Sequence, residues 1–320
     1  MTTKTKLYAL AATLMCTTFC GLSAIASAPQ QKSQAPGYYR LVLGKFEITA
    51  LSDGTSPLPI DQLLTNTTPD HIAGRLHEAF LKTPVAMSVN AFLINTGEKL
   101  ILVDSGFGNF FGPTQGKLLS NLRAAGYAPG QIDEIYITHM HSDHVGGLII
   151  ADKVAFPNAI VRTEEREADF WLSKERMEQA PEPLKGFFLT AMKALKPYQD
   201  AGRFKPFRGD TDLAAGIKAR SLPGHTPGHT AYVVESEGEK LVILGDLIHV
   251  AAIQFADPSV TIRFDGEAAA AADARVQQLR EASAAHEWVA GAHISFPGIG
   301  HVRADGKGFE FVPANYESFP

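Results

Sequence analysis

The stretch His139-Met140-His141-Ser142-Asp143-His144 decides how the rest of this chain is interpreted. It places three imidazoles and a carboxylate within six residues, directly after the apolar segment Glu134–Thr138, which is typical of a buried strand. Neutral imidazole and carboxylate are the side chains that bind zinc and related divalent ions. The stretch therefore predicts a metal site, with room for two ions, and it indicates hydrolytic chemistry.

Further metal-binding side chains follow apolar segments later in the chain. His225 lies in the turn-forming sequence 224–229, Asp246 comes after the apolar run 241–244, and His293 comes after a predicted strand that ends at Ala290. Side chains at strand ends are held rigidly, as a metal site needs. A chance histidine-rich loop and a structural zinc site are the alternatives. A structural zinc site usually closes with four ligands that are often thiolates, which this set does not resemble.

The N-terminus has the pattern of a secretory signal peptide. Two lysines precede the apolar run 7–22, and small residues at 24–28 form a cleavage pattern. We expect residues 1–28 to be the signal peptide and 29–320 to be a single exported domain, periplasmic or secreted. A membrane anchor is the alternative, but the apolar run is shorter than the ~20 residues that a span needs, so we expect no membrane contact after cleavage.

Cysteine content and charge exclude several function classes. Cys16 and Cys20 both lie within the predicted signal peptide. A mature chain without cysteine has no disulfide, no cysteine nucleophile and no thiolate metal ligand. The formal charge is −5 and the sequence has no run of Lys or Arg, which argues against a nucleic-acid partner.

Local patterns predict sheets covered by helices. Tyr38–Ser52 alternates like a strand, and Asp53-Gly54 indicates a turn after it. The region 57–85 contains a helical stretch from about Asp70 to Leu81 and is interpreted as a cap or an arm. Helical spacing also covers 164–172, 184–195 and 266–285.

The ligand pattern resembles the metallo-β-lactamase superfamily. There, His-x-His-x-Asp-His is followed by a distal His, a bridging Asp and another distal His. The matching residues, in the same order, are His139, His141, Asp143, His144, His225, Asp246 and His293. Within the superfamily the chain looks most like the exported branch with methyl parathion hydrolase and dihydrocoumarin-type lactonases, on the stretches Ala35–Tyr39, Ile135–His141 and Phe296–His301.

The resemblance implies a fold and a cofactor. The fold is α/β (α+β), an αββα sandwich of two mixed sheets flanked by helices, with two metal ions at one edge. One ion would be bound by His139, His141 and His225, and the other by Asp143, His144 and His293, with Asp246 bridging them. The ions would be Zn²⁺, with Mn²⁺, Co²⁺ or Fe²⁺ as rivals. A homodimer is implied in the same way.

Residues around the predicted metals are expected to orient ligands or to line a substrate pocket. Asp104 and His229 are interpreted as orienting residues, with a turn residue and a packing residue as the alternatives. The resemblance implies an aromatic pocket at Phe111, Trp171 and Phe187; side chains in the core are the alternative. Three more residues are expected to line its other side and to favour a flat lactone over a bulky phosphotriester, namely His249, Ile262 and Phe264.

The function implied is a binuclear metal-dependent hydrolase. It would open lactones or aryl esters such as dihydrocoumarin by attack of a metal-bridging hydroxide, with Asp246 bridging and Asp143 also carrying a proton. The alternative is an organophosphate triesterase similar to methyl parathion hydrolase. β-Lactam or thioester hydrolysis, an RNA nuclease, a thiol dioxygenase with one iron and a non-catalytic metal protein are less well supported by these residues.

Overall fold

The computed structural model describes residues 28–110 and 112–318. The predictions made for residues 1–27, including both cysteines and most of the signal peptide, and for Phe111 lie outside the described residues. Contacts divide the chain into two units, Met1–Ala35 and Pro36–Pro320. All the helices and strands of the described residues lie in the second unit.

Strands and helices both occur along the second unit. In chain order the strands are β1 (Tyr38–Leu43), β2 (Phe46–Leu58), β3 (Leu64–Thr65), β4 (Val85–Asn95), β5 (Leu100–Val103), β6 (Glu134–Tyr136), β7 (Ile149–Ile150), β8 (Lys153–Val154), β9 (Ile160–Arg162), β10 (Thr211–Ala214), β11 (Ile217–Ser221), β12 (Thr230–Ser236), β13 (Glu239–Ile243), β14 (Thr261–Ile262), β15 (Trp288–Ala290), β16 (Ile299–Asp305) and β17 (Gly308–Pro313). The α-helices are α1 (Ile60–Leu63), α2 (Pro69–Glu78), α3 (Leu118–Ala124), α4 (Ser142–Val145), α5 (Glu165–Trp171), α6 (Lys174–Gln179), α7 (Glu182–Asp200), α8 (Ala251–Gln254) and α9 (Ala268–Ala285).

Two mixed sheets form the centre of the second unit. The first has the strand order β1-β2-β4-β5-β6-β9, and the second has the order β10-β11-β12-β13-β15-β16-β17. In the first sheet β5 pairs with β6 and β6 with β9 in parallel, whereas in the second sheet β13 pairs with β15 in parallel. The remaining neighbours in both sheets are antiparallel.

The apolar core has three layers that follow from strand alternation. Ile48 and Phe92 of the first sheet pack against Tyr232 and Leu241 of the second sheet. The other face of the first sheet packs on α3 and α7. The other face of the second sheet packs on α9 through residues such as Leu279. Helix, sheet, sheet and helix therefore form successive layers, which confirms the predicted αββα sandwich.

The predicted turn at Asp53-Gly54 is wrong. The reversal of direction comes earlier, between β1 and β2, and β2 continues through Asp53 with a shift of register against β4 at that point. The Asp53 carboxylate accepts hydrogen bonds from the backbone amides of Phe107, Gly116 and Leu118. An Asp-Gly pair is common both in strand bulges and in turns, because both contain a position with positive φ that glycine adopts easily. At Gly54 this angle is +134°.

The region 57–85 folds against a later part of the chain. Its helices α1 and α2 and strand β3 form an apolar cluster with α8 and β14, and β3 pairs with β14 through Thr65 and Thr261. The predicted helix at 70–81 is confirmed as α2, although it begins at Pro69 and ends at Glu78. Among the described residues, no helix is both long enough and apolar enough to cross a bilayer.

Candidate metal centre

The sheet topology brings the predicted ligands to one edge of the sandwich. In the first sheet, Asp104 follows β5 and His139 follows β6, and these strands are parallel neighbours. In the second sheet, Asp246 follows β13 and His293 follows β15, which are parallel neighbours as well. Since parallel strands end at the same edge, each sheet presents its polar residues there.

The seven predicted ligands come together in two groups. Within each group, one ligand atom of every residue lies within 4.8 Å of the others. The two groups share Asp246. The first consists of His139, His141, His225 and Asp246, and the second of Asp143, His144, Asp246 and His293.

Asp246 lies at the centre of the arrangement. Its Oδ2 is 3.4 Å from Nε2 of His225 and 3.1 Å from Nε2 of His293, which belong to different groups. Its Oδ1 is 3.2 Å from Nε2 of His144. A carboxylate placed between two groups of imidazoles in this way has the geometry expected of a bridge.

The donor set fits divalent metal ions. Nε2 of His139, Nε2 of His144 and Oδ1 of Asp246 are buried and make no hydrogen bond among the described residues, although the last two atoms lie only 3.2 Å apart. Buried polar atoms are nearly always paired. Here several such atoms lie close together, and all of them are imidazole nitrogens or carboxylate oxygens. Zinc and related divalent ions bind these donors.

The electrostatics of the cluster also favour a bound cation. Burial lowers the pKa of His139 well below its ordinary value, and the charge of His144 adds to the effect, so His139 is neutral and able to bind metal. Burial alone would raise the pKa of Asp246, but the neighbouring imidazoles, that of His293 first, lower it well below its ordinary value. Although burial opposes it, the adjacent Asp246 and Asp143 raise the pKa of His293 to about 10. The two carboxylates thus attract positive charge to this site.

Outward-facing ring nitrogens are held by hydrogen bonds. Nδ1 of His144 lies 2.8 Å from Oδ2 of Asp104. Nε2 of His229 accepts a hydrogen bond from the backbone amide of Asp246 at 3.0 Å, which orients the central carboxylate. Nδ1 of His293 lies 2.8 Å from the backbone oxygen of Ser88 on β4. Such contacts fix the ring orientation and tautomer of a ligand imidazole.

Sequence reasoning missed one orienting carboxylate. Nδ1 of His225 lies 2.8 Å from Oδ1 of Asp265. Oδ2 of Asp265 also accepts a hydrogen bond from the backbone amide of Ile262 at 3.1 Å. Asp265 belongs to no local motif and is 40 positions from His225 in sequence. Asp265 lies between Phe264 and Gly266 shortly before α9, and nothing in that stretch identifies His225 as its partner.

An apolar cavity of about 430 Å³ opens beside the first group of histidines. The ring centroid of His141 lies 5.2 Å from that of Trp171 and 4.6 Å from that of Phe187. Of the three predicted aromatic residues, the two that the structure describes therefore lie next to His141, a predicted ligand. The cavity is lined by His141, Phe170, Trp171, Leu184, His225, Phe264 and neighbouring backbone.

The remaining predicted pocket residues are divided between the site and the core. Nε2 of His249 is 3.2 Å from Oδ2 of Asp246, and the ring of Phe264 is 6.2 Å from the ring of His249. Ile262 is buried in an apolar cluster with Val250 and Ile253. A second cavity, of about 590 Å³, is bordered by His249 and by loops and strands on the other side of the site.

Comparison with known proteins agrees with this geometry. A family model described as the metallo-beta-lactamase superfamily matches residues 85–288. The N-acyl homoserine lactonase of Bacillus cereus is 26% identical over 212 residues, which are 60% of this chain and 76% of the relative.

Solved structures share the fold over most of the chain. A hydrolase in the beta lactamase superfamily, AbOPH, is 36% identical with a TM-score of 0.85 and covers 89% of this chain and 100% of its own. AidC, described as a dizinc quorum-quenching lactonase, is 28% identical with a TM-score of 0.82 and covers 88% of this chain and 99% of its own.

Proposed function

The chain belongs to the metallo-beta-lactamase superfamily and is a metallo-hydrolase, and we propose that its substrates are lactones or aryl esters similar to dihydrocoumarin. The observation that carries this proposal is the apolar cavity that opens directly beside His141 and His225. Its walls are aromatic and aliphatic, which suits a flat and largely uncharged substrate.

We assign the metal ligands as the resemblance implies. His139, His141 and His225 would bind one ion, and Asp143, His144 and His293 the other, with Asp246 between them. The two structural groups support this division. Divalent ions held by these residues, zinc as we propose, would supply Lewis acidity and lower the pKa of bound water toward neutrality.

The protein's own side chains would orient the substrate and move a proton. Trp171 and Phe264 would hold the ring or acyl part of the substrate in the cavity. Oδ2 of Asp143 lies 3.3 Å from Nε2 of His293, and its side chain is 11% exposed, more than those of the neighbouring ligands. Its greater exposure supports the proposal that Asp143 would also pass a proton to the leaving oxygen.

The lactone specificity is supported by relatives and tested by substrate choice. The relative from Bacillus cereus and AidC are both described as lactonases. We would measure hydrolysis of dihydrocoumarin, an N-acyl homoserine lactone and methyl parathion by zinc-loaded protein. Asp246→Ala is the inactive control, and His286→Ala, which changes an exposed histidine, is the matched control.

Each result of that experiment has a definite meaning. Lactone turnover far above phosphotriester turnover, abolished by Asp246→Ala alone, would support the proposal. The opposite ratio would make the chain a phosphotriesterase, and turnover of neither class would refute both functions.

Two proposals about the cellular form also remain from the sequence. We propose that the chain is exported after cleavage near Ala28 and that the mature protein is a homodimer. N-terminal sequencing of protein recovered from the periplasm or medium tests the first, and light scattering of that material tests the second. An uncleaved cytoplasmic protein or a monomer, respectively, would contradict them.

A further inference from the structure

Helix α5 carries a buried carboxylate that has no role in the site described above. Glu167 is 0% exposed. Its Oε1 accepts hydrogen bonds from the backbone amide of Met140 at 3.0 Å and from Nε1 of Trp171 at 2.7 Å. Its Oε2 accepts a hydrogen bond from the backbone amide of Gly228 at 2.7 Å. One side chain thus binds three separate groups through N–H donors.

The three groups belong to the parts of the site that must be placed relative to one another. Met140 lies between His139 and His141 in the first histidine loop. Gly228 belongs to the second histidine loop, three residues after His225. Trp171 forms the wall of the apolar cavity. Glu167 therefore links both loops that contribute histidines to the first metal group with the aromatic wall of the cavity.

The packing around Gly228 shows that the helix and the second loop are in direct contact. A Cβ atom placed on Gly228 would lie 2.6 Å from the backbone nitrogen and 2.9 Å from Cβ of Glu167. Such distances are shorter than real Cβ contacts, so a side chain at this position would push the loop and the helix apart. Only glycine fits at position 228 because the loop and α5 approach each other so closely. This approach brings the backbone amide of Gly228 to the carboxylate of Glu167.

The chemistry of the contacts requires a carboxylate. A buried carboxylate is costly, and burial raises the pKa of Glu167, while the N–H donors around it act in the opposite direction. Both oxygens act as acceptors. A glutamine has the same size, but its NH₂ group would face an N–H donor and leave at least one buried amide without an acceptor.

We propose that Glu167 is a positioning residue that sets the distance between the two histidine loops and the aromatic wall, so that metal affinity and substrate affinity depend on the same carboxylate. The inference rests on the proposed function, because it takes His139, His141 and His225 as metal ligands. It assigns Glu167 no contact with the substrate or with the reacting atoms.

The test uses the mature protein with Glu167→Gln. Glu165→Gln is the matched control, since Glu165 is on the same helix and pairs with Arg208 near the surface. The zinc dissociation constant is measured by competition with a chelator, and KM and kcat are measured separately for dihydrocoumarin. We expect Glu167→Gln to weaken zinc binding by about 10- to 100-fold and to raise KM, with Glu165→Gln unchanged in both.

A spectroscopic signal reports on the aromatic wall without catalysis. The chain has two tryptophans, Trp171 and Trp288. In a Trp288→Phe background the emission comes from Trp171 alone. Replacing the charged acceptor of Nε1 of Trp171 by a neutral amide is expected to shift that emission in the metal-free protein and to alter its response to added zinc. A role in overall stability alone would change neither the emission of the folded protein nor its zinc affinity.

Two further variants test the positioning role of Glu167 if Glu167→Gln does not fold. Trp171→Phe removes one donor and keeps an aromatic ring, so KM should rise while zinc affinity is retained. Gly228→Ala separates the second loop from α5, so zinc affinity should fall.

The failure of this inference differs from the failure of the proposed function. If zinc affinity and KM of the Glu167→Gln variant equal those of the wild type, the positioning role is refuted and the metal site stands. The same conclusion follows from Gly228→Ala if Glu167→Gln does not fold. If the wild-type protein binds no zinc, the proposed function fails and the inference fails with it.

Discussion

Two carboxylates that orient different histidines should control the two metal sites separately. Asp265 holds Nδ1 of His225, which belongs to the first group, and Asp104 holds Nδ1 of His144, which belongs to the second. We predict that Asp265→Asn weakens the first site and that Asp104→Asn weakens the second.

The magnitude follows from the contacts of each carboxylate. Both oxygens of Asp265 are acceptors, one for His225 and one for the amide of Ile262. Both oxygens of Asp104 are acceptors as well, for His144 and for the amide of Thr138 at 2.8 Å. The hydroxyl of Thr138 also donates to Oδ2 of Asp104 at 2.8 Å. An asparagine at either position leaves at least one N–H donor without an acceptor. Loss of an orienting partner typically costs about 10- to 100-fold in metal affinity, which is about 1.4 to 2.7 kcal/mol.

The assay counts ions released at increasing chelator concentration, with Asp212→Asn as a control because Asp212 is exposed on β10. Each buried variant should lose one ion per chain early and retain the other near its wild-type affinity. In cobalt-substituted protein, the absorption spectrum shows which of the two metal sites has lost its ion. If both variants lose both ions together, or neither loses any, the reasoning about separate orienting residues is wrong.

Three other predictions concern metal, core and pocket. Saturating zinc should raise the melting temperature of the metal-free protein by about 5 °C or more, because ligand binding to the folded state alone is stabilising; an unchanged melting curve would contradict this. Leu279→Ala, which removes a fully buried side chain of α9, should lower the free energy of unfolding in urea by about 2 to 5 kcal/mol, whereas a loss below about 1 kcal/mol would show that this core relaxes easily. His249→Leu should lower the ratio of dihydrocoumarin to methyl parathion turnover, since it makes the pocket less polar beside Asp246, and an unchanged ratio would count against a selective role.

The sequence predicts most of the metal centre because its ligands have local signatures. Asp246 and His293 follow short apolar runs, and such runs identify a strand and its end without knowledge of the fold. The parallel pairing of β13 with β15 then places both residues at one edge, as the resemblance implied. The candidate ligands could therefore be named from the sequence, whereas their division into two groups was implied by the resemblance to the superfamily.

The residues that the sequence did not reveal act through distant contacts. Glu167 is one of several acids in the segment 164–167, and nothing nearby distinguishes it from an exposed residue. Its partner Gly228 is 61 positions away. The Asp53-Gly54 pair predicts a turn, but such a pair also occurs in bulges, and only the neighbouring strand determines which one forms.

The distribution of the ligands between the two sheets has a consequence for the order of events during folding. His141 and His225 are 84 positions apart in sequence, and His293 is held by Ser88 across 205 positions. Contacts of such long range form late, since closing long loops costs entropy before it is repaid. A chain that has folded only its first sheet holds half of each site. Zinc uptake should therefore follow the assembly of both halves, so the rate of activation of a refolding chain reports when the two halves meet.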